Sequence, residues 1–441
     1  MSVDVAVVGA GIAGLAAART LADAGHKVRV FESLDRVGGR MATIRTAGYR
    51  IDTGAEQLAE RGYESTWAFI RELGIDSSDA IPRLGAGISV WSGGRARAGV
   101  TRLSGLLTGA GLAFPARLDL MKMLLLSRSD FDPDRPEESP IGSRTLAELG
   151  DGRHRDLTEH LLQPVASGFF GWDPARSAAA PFLALLAAVG PSSTWRTYRD
   201  GMDTLARALA RGLDVRTSCQ VRRVLTEPDG VRVVTTTGET TARAVVLCVP
   251  APVALALHPG ATERERAFLS ACSFTPVVKV SFRLDRPLGP PGRPASVVLV
   301  PGVADGTVST IMADHVKAPD RVPAGAGLVT VMARPAVVPD LLEASDESVV
   351  QTVGAAAERY VPGLAGATVG TLVHRFRHGL PEATPAALRL RRGFEQGLGG
   401  AVDYAGDWVQ LRPSSEGAVR TGRRAARRVL SRLAARVGSV R

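Results

Sequence analysis

The chain has 441 residues, of which 45% are hydrophobic and 22% are charged, and its formal net charge is +10. This mixture excludes a disordered or fibrous chain and is typical of a globular protein with two or three domains. Cys219, Cys248 and Cys272 show neither metal-binding spacing nor a disulfide framework. We therefore expect no metal site and a location in the reducing cytoplasm.

The basic residues are unevenly distributed. The chain has only four lysines, which are Lys27, Lys122, Lys279 and Lys317. Eight arginines and no acidic residue lie in residues 420–441. These arginines are expected on a C-terminal helix, where basic residues usually form a solvent-exposed face. Peripheral contact of this helix with an anionic membrane is the alternative. The apolar residues 178–190 contain Pro181 and are too short to cross a bilayer, so we expect no transmembrane segment. We also expect no nucleic-acid partner.

The N-terminal residues predict a βαβ unit. Residues 3–8 are short, β-branched and followed by glycines, which indicates a buried strand and leaves no room for a signal peptide. Residues 12–24 have the apolar spacing of a helix, and residues 27–31 predict a second strand.

A glycine motif joins the first strand to the helix. It reads Gly9-Ala10-Gly11-Ile12-Ala13-Gly14. In this context Gly9 permits a tight turn, Gly11 lets the backbone approach a pyrophosphate, and Gly14 lets the helix pack on the strand. The helix start offers free N–H groups and a partial positive charge to that phosphate. Glu32 ends the second strand and suits the ribose hydroxyls, so the segment predicts a dinucleotide site.

Further strands and helices are predicted along the chain. Strands are expected at residues 215–217, 221–226, 231–236, 244–249, 277–284, 297–300, 308–312, 328–333 and 402–405, and helices over most of 146–188, 345–360 and 418–435. Nucleotide-type segments thus lie at both ends and in the middle. We expect a discontinuous cofactor domain of residues 1–60, 198–255 and 393–441. Residues 61–197 and 256–392 would form a substrate domain with a helical insertion, leaving a ligand cleft between the two.

Two distant segments carry a family resemblance. Arg36-Val37-Gly38-Gly39-Arg40 follows Glu32, and Tyr404-Ala405-Gly406-Asp407-Trp408 precedes Ser415-Glu416-Gly417-Ala418-Val419. With them the sequence resembles the flavin-containing amine oxidase superfamily. This resemblance implies bound FAD and an α/β fold in which a Rossmann-type FAD-binding domain is interleaved with a substrate domain of mixed sheet plus helices, the two-domain architecture of amine oxidases and p-hydroxybenzoate hydroxylase.

The resemblance implies a set of FAD contacts. Asp407 would hold a ribityl hydroxyl, the helix beginning after Glu416 would face the flavin N1–O2 edge, and Val221 would lie against the adenine. The full predicted set is Gly9, Gly11, Ile12, Ala13, Gly14, Glu32, Ser33, Arg36, Gly39, Arg40, Val221, Gly406, Asp407, Glu416, Gly417 and Ala418.

Lys279 is the candidate catalytic residue. It lies in an apolar strand eight residues before Pro287, and the resembling amine oxidases place a lysine there that holds a water near flavin N5 and takes part in flavin reoxidation. A lysine retained in an arginine-rich chain indicates a need for a compact ammonium. The alternative is a lysine on the solvent face of the strand.

The substrate is less well defined by the sequence. Ser414 stands where amine oxidases usually have an aromatic residue of the amine cage, and His378 lies near the position of the family's covalent flavin link. Trp172 and Trp195 are candidate pocket walls, with core packing as the alternative. The leading hypothesis is hydride abstraction from a C–N or C–C bond of a small organic molecule, with dioxygen reoxidising FAD to give hydrogen peroxide. The alternatives are a porphyrinogen-oxidase-like or carotenoid-type desaturase and a redox-neutral isomerase or cyclase.

Overall fold

Two seven-stranded sheets organise the part of the chain that the structure describes. The computed structural model describes residues 2–98, 111–126, 132 and 134–438. The first sheet contains, in spatial order, Asp214–Arg216, Val28–Phe31, Ser2–Val8, Gly238–Leu247, Gly230–Thr235 and Val221–Glu227, with Val402–Tyr404 also pairing with Gly238–Leu247. Its strands come from three distant parts of the chain, which is the arrangement expected for the cofactor domain. The domain boundaries themselves stay a prediction.

The parallel part of the first sheet positions the dinucleotide motifs. Ser2–Val8 pairs in parallel with Val28–Phe31 on one side and with Gly238–Leu247 on the other. The carboxyl ends of parallel strands meet at one edge, so Gly9 and Glu32 come together there. The strand predicted at 244–249 begins earlier than expected, because residues 238–242 also pair with the antiparallel strand Gly230–Thr235.

The second sheet is mixed. Its spatial order is Thr368–Glu382, Ser273–Leu284, Gly327–Ala333, Val308–Ala313, Val297–Leu299, Ile88–Ser92 and Arg95–Ala98. The sequence did not predict the strands Ile88–Ser92, Arg95–Ala98 and Thr368–Glu382. The last of these lies at the sheet edge and contains two glycines and Pro381, which are residues that an edge strand tolerates and that obscure its pattern. A small hairpin of Thr43–Thr46 and Tyr49–Asp52 completes the strands.

Helices cover the sheets. The α-helices are Ile12–Asp23, Glu64–Glu72, Phe114–Leu126, Leu146–Gly150, Arg155–Leu157, Gln163–Phe170, Ala179–Val189, Thr204–Ala210, Ala251–Leu257, Glu263–Ala271, Asp314–Lys317, Val338–Glu343, Asp346–Glu358, Leu364–Ala367, Pro385–Gln396 and Ser415–Gly438. In the ranges given above, none of them is both long enough and apolar enough to cross a bilayer.

The C-terminal helix Ser415–Gly438 packs closely on Ile12–Asp23. A Cβ atom at Gly422 would lie 2.3 Å from the Ala13 carbonyl oxygen, so the contact requires glycine. Several arginines of this helix pair with carboxylates of the body: Arg420 and Arg424 with Asp134, Arg423 with Glu72, and Arg428 with Asp403. These pairs favour the interpretation of a helix docked on the protein over one docked on a membrane.

Candidate active site

A cavity of about 620 Å³ separates the edge of the first sheet from one face of the second. One end contains the predicted dinucleotide motifs, and Val221 lines it together with Val249 and Pro250. We call the other end the chamber. Its walls are largely apolar side chains, namely Leu58, Tyr63, Phe169, Phe170, Leu185, Leu186, Val189, Trp195, Val277, Val297, Met312, Met332, Phe376 and Leu380.

The glycine turn opens onto this cavity. Gly9 has a φ of +98°, and a Cβ there would lie 2.7 Å from the Cys248 carbonyl oxygen. A Cβ at Gly11 would instead meet open space, and no side chain caps the helix that begins after it. The first N–H groups of that helix are therefore free to bind an anion, and Ile12 and Ala13 line the cavity. Gly14 does not line it; a Cβ there would lie 1.9 Å from the Gly9 oxygen, which fits its predicted packing role.

Glu32 is fixed beside the glycine turn. One carboxylate oxygen accepts a hydrogen bond from the Ala10 N–H at 2.8 Å, and the other accepts from the Leu34 N–H at 2.9 Å and the Ser33 hydroxyl at 3.2 Å. The side chain is buried, and both Glu32 and Ser33 line the cavity. A carboxylate held this rigidly can accept hydrogen bonds from ribose hydroxyls.

The Arg36–Arg40 turn and the Asp407 segment meet in the cavity wall. Gly38 and Gly39 have φ angles of +100° and +53°, which glycine adopts without strain. Arg40 donates to Asp407 Oδ1 at 2.7 Å and to the Gly379 carbonyl at 2.8 Å. Residues 367 positions apart in sequence thus form one polar wall, as the resemblance implied.

The start of the C-terminal helix differs from the prediction. It begins at Ser415 rather than at 418, because the Ser414 hydroxyl accepts a hydrogen bond from the Gly417 N–H at 3.1 Å and caps the helix. Gly406, Asp407, Ser415 and Ala418 line the cavity, whereas Glu416 and Gly417 do not.

The Glu416 side chain has partners within the protein. Its buried carboxylate accepts hydrogen bonds from the Ser65 N–H at 3.1 Å and from the Thr66 N–H and hydroxyl, both at 2.8 Å. These donors belong to the first turn of the helix Glu64–Glu72, whose positive end a carboxylate stabilises. The side chain thus joins two helices, and the predicted cofactor role at this helix start stays a prediction.

Lys279 points into the protein. It is only 3% exposed and lines the cavity, so the alternative of a solvent-facing lysine is wrong. Its ammonium donates to the carbonyl oxygens of Gly54 at 3.2 Å and Asp52 at 3.4 Å and forms an ion pair with Glu56. A buried ammonium in a cavity wall is a candidate functional group because burying an ion is costly.

A second buried lysine, which the sequence analysis missed, joins this cluster. Lys317 pairs with the other oxygen of Glu56 and with Asp314. Burial lowers the pKa of Lys317, but Asp314 and Glu56 outweigh that effect and its pKa is raised. The one sign of this cluster in the sequence was the scarcity of lysine. Two of only four lysines in the chain pair with the same carboxylate, that of Glu56.

Three other candidate residues have separate environments. Trp172 is fully buried outside the cavity, and its indole N–H donates to the Pro381 carbonyl at 2.9 Å, so it is a core residue. Trp195 lines the chamber, as predicted. His378 also lines the cavity, and burial, together with Arg40 and Arg377, lowers its pKa.

The carboxylates that line the cavity are already engaged. Across the described ranges these are Glu32, Glu56 and Asp407, which bond to backbone amides, to two lysines and to Arg40 respectively. The chamber therefore offers no unpaired carboxylate to a substrate ammonium.

These features define a two-sheet dinucleotide-binding protein with a largely apolar chamber. The sequence model described as flavin containing amine oxidoreductase matches residues 12–430, and the chain belongs to this family. The membership confirms FAD as the cofactor class.

Individual relatives match shorter regions. A protein of Mycobacterium tuberculosis described as a flavin-containing monoamine oxidase, AofH, is 47% identical over 92 residues, covering 21% of this chain and 20% of the relative. Polyamine oxidase 2 of Arabidopsis thaliana is 30% identical over 268 residues, covering 56% and 51%. The chain thus spans about a fifth and about half of the lengths of these two relatives.

The fold is that of solved amine oxidases. A putrescine oxidase carrying two substitutions superposes with a TM-score of 0.79 over 98% of this chain and 99% of that chain, at 19% identity. This confirms the predicted two-domain α/β class.

The residues present fit FAD. The open space at Gly11, the uncapped helix start and the fixed Glu32 carboxylate match a pyrophosphate and a ribose. When bound, FAD supplies a hydride acceptor at its N5 atom. No group of three potential metal ligands occurs among the residues for which the structure gives positions.

Proposed function

We propose that the protein oxidises a small, largely apolar amine to an imine. In balanced form, R₂CH–NH₂ and O₂ give R₂C=NH and H₂O₂, with FAD carrying the two electrons. The observation that carries this proposal is the buried ammonium of Lys279 in a cavity whose chamber is largely apolar. A fixed cation in a site of low dielectric stabilises negative charge that develops when dioxygen is reduced.

The chamber favours the reactive form of an amine. Apolar walls disfavour a charged ammonium, and every cavity carboxylate among the described residues already has a partner. The neutral amine therefore binds better than its protonated form, and only the neutral form has the lone pair that a C=N bond requires. The same walls exclude water and hold the substrate carbon in place.

Two polar atoms at the chamber lack partners within the described part of the chain. They are the amide oxygen of Gln57 and the indole N–H of Trp195, and both residues line the cavity. The neighbouring residues Leu58 and Arg196 pair as an antiparallel bridge, which brings the two segments together. Both atoms are buried, so contact with a substrate requires their side chains to turn toward the cavity. We propose that they do so when substrate binds and that the pair then holds one neutral polar group, such as a hydroxyl or an amide.

Replacing Trp195 tests this polar contact. Trp195→Phe keeps an aromatic wall but removes the N–H, and we expect KM to rise about tenfold for a substrate with the polar group because one buried hydrogen bond is lost. Substrates lacking the group should change little. Trp67→Phe is the matched control, since Trp67 does not line the cavity and its indole N–H already donates to the Ala59 carbonyl at 2.9 Å. Equal KM changes for both kinds of substrate in Trp195→Phe would contradict the contact.

Anaerobic mixing tests the proposed reaction. Holoenzyme mixed with a panel of apolar amines should lose the blue absorption band of the flavin and keep it lost until air is admitted, when hydrogen peroxide forms. No bleaching by any amine, with bleaching by an amine-free alicyclic compound, would contradict amine oxidation.

The second candidate function is desaturation of a C–C bond. It is favoured by the absence of an unpaired carboxylate from the cavity lining described above and by Ser414, which supplies no aromatic ring where amine oxidases usually have one. It predicts bleaching by apolar polycyclic or alicyclic substrates that contain no nitrogen. A transient bleaching with an isomerised product would instead indicate redox-neutral chemistry.

A further inference from the structure

The two buried lysines share one carboxylate. Each oxygen of Glu56 pairs with a different ammonium, that of Lys279 or that of Lys317. Lys279 and Glu56 line the cavity, whereas Lys317 does not, and its side chain is fully buried behind Glu56. Lys317 also pairs with Asp314, three residues earlier in the short helix Asp314–Lys317. Glu56 is therefore the side chain that connects Lys317 to the cavity wall by direct ion pairs.

The cluster is balanced in charge. Lys279 and Lys317 contribute two positive charges, and Glu56 and Asp314 contribute two negative ones. Without Glu56, the ammonium of Lys279 would keep only backbone carbonyl oxygens while lying near a second ammonium. A buried charge without a counter-charge is strongly disfavoured.

No other charged neighbour in the described ranges can replace Glu56. The Asp52 carboxylate is committed to Arg321. His374 lies opposite Lys279 on the neighbouring strand, and its ring donates to or accepts from the Ser281 hydroxyl at 3.1 Å. Burial and the positive charge of Lys279 lower the pKa of His374 to about 4, so it is neutral at physiological pH. Asp346 acts on His374 only at longer range.

We propose that Glu56 and Lys317 are positioning residues: Lys317 holds Glu56, and Glu56 keeps the ammonium of Lys279 charged and fixed at the cavity wall. The role of Lys279 in reducing dioxygen rests on the proposed function, but the control of its charge does not.

Removing the shared carboxylate should reduce the contribution of the Lys279 ammonium to reoxidation, and the reduction should depend on pH. In Glu56→Gln, Lys279 faces a like charge without a counter-charge, so it loses its proton at lower pH than in the parent. Reoxidation by dioxygen should therefore begin to slow at a lower pH in Glu56→Gln than in the parent, and above that onset the charged fraction of an amine falls about tenfold per pH unit. A purely structural defect would slow the reaction equally at every pH.

A second substitution should reverse part of this loss. Glu56→Gln combined with Lys317→Met removes the competing ammonium and leaves Lys279 and Asp314 as a balanced pair. We expect the pH at which its reoxidation begins to slow to lie between those of the parent and Glu56→Gln. Independent damage from two core substitutions would instead give a slower double variant.

The state of each lysine can be measured without turnover. Because the chain has four lysines, ¹³Cε-lysine-labelled holoenzyme should give four assignable NMR signals, with the exposed Lys27 and Lys122 as internal references. The Lys279 signal should titrate at lower pH in Glu56→Gln than in the parent, and at an intermediate pH in the double variant. If Glu56→Gln alone fails to fold, the test compares the pH at which the Lys279 signal titrates in the charge-balanced double variant and in the parent.

Glu60→Gln is the matched control. Glu60 also lies between two cations, Arg83 and Arg196, but it does not line the cavity. Its loss should leave the Lys279 titration unchanged. A Lys279 signal that titrates identically in the parent and in the Glu56 variants would overturn the proposal. Shifted NMR titrations without reduction of the flavin by any amine would overturn the proposed function and leave this inference standing.

Discussion

Lys279→Met is expected to slow the reaction of the reduced enzyme with dioxygen by about 100-fold or more, because loss of one preorganised electrostatic group in a buried site typically costs this much. FAD binding should persist, since Lys279 is only one residue of a large cavity wall. Reduction by an amine should change less than tenfold, because the ammonium is assigned to the oxygen reaction. Stopped-flow mixing of the reduced enzyme with aerated buffer measures the rate directly.

The control for this variant is Lys122→Met, which removes an exposed ammonium on the helix Phe114–Leu126. The variant Lys279→Met should also fold, because Glu56 keeps its ion pair with Lys317. An oxygen reaction as fast in Lys279→Met as in the parent would remove the assigned role of Lys279 and leave the FAD site unaffected.

Gly11→Leu is expected to abolish tight FAD binding while leaving the apoprotein folded. Gly11 has an ordinary φ of −68°, and a Cβ there meets no protein atom within 4 Å, so the backbone accepts a residue with a Cβ at this position. The added side chain would occupy the space in front of the helix start, where the pyrophosphate is expected. We expect the Kd for FAD, measured by quenching of flavin fluorescence, to rise more than about 100-fold, since a buried phosphate contact is lost.

Gly366→Leu is the corresponding control at an exposed glycine whose Cβ also meets open space. Both apoproteins should melt within a few degrees of the parent apoprotein. Unchanged FAD affinity in Gly11→Leu would show that the pyrophosphate does not lie at this helix start. Gly9→Ala is unsuitable for this test, because its Cβ would clash with the Cys248 carbonyl at 2.7 Å and destabilise the fold as well.

The sequence predicted those parts of the site that depend on local backbone chemistry. The glycine turn, Glu32 and the Arg36–Arg40 turn are short segments whose residue types follow from the backbone conformation they adopt. Asp407 was predicted from family resemblance. Its hydrogen bond to Arg40 brings together the two segments that carry this resemblance. Strands with a regular apolar pattern, such as Ser273–Leu284, were likewise recognised.

The parts that were missed depend on tertiary contacts. Lys317 and Glu56 belong to no motif, and only the folded chain brings them to Lys279. The role of Glu416 was missed for the same reason, because its partners lie about 350 residues earlier in the helix Glu64–Glu72. Family resemblance concerned the start of the helix after Glu416, and that cofactor role stays a prediction.

The central claim is that widely separated segments of the chain close around one FAD beside an apolar chamber. Its most direct test is equilibrium dialysis of the purified apoprotein against FAD, read by absorption and by the amount of flavin bound. We expect one FAD per chain and a flavin spectrum that bound apolar amines perturb. A protein that stays colourless at saturating FAD, with its fold intact, would contradict it.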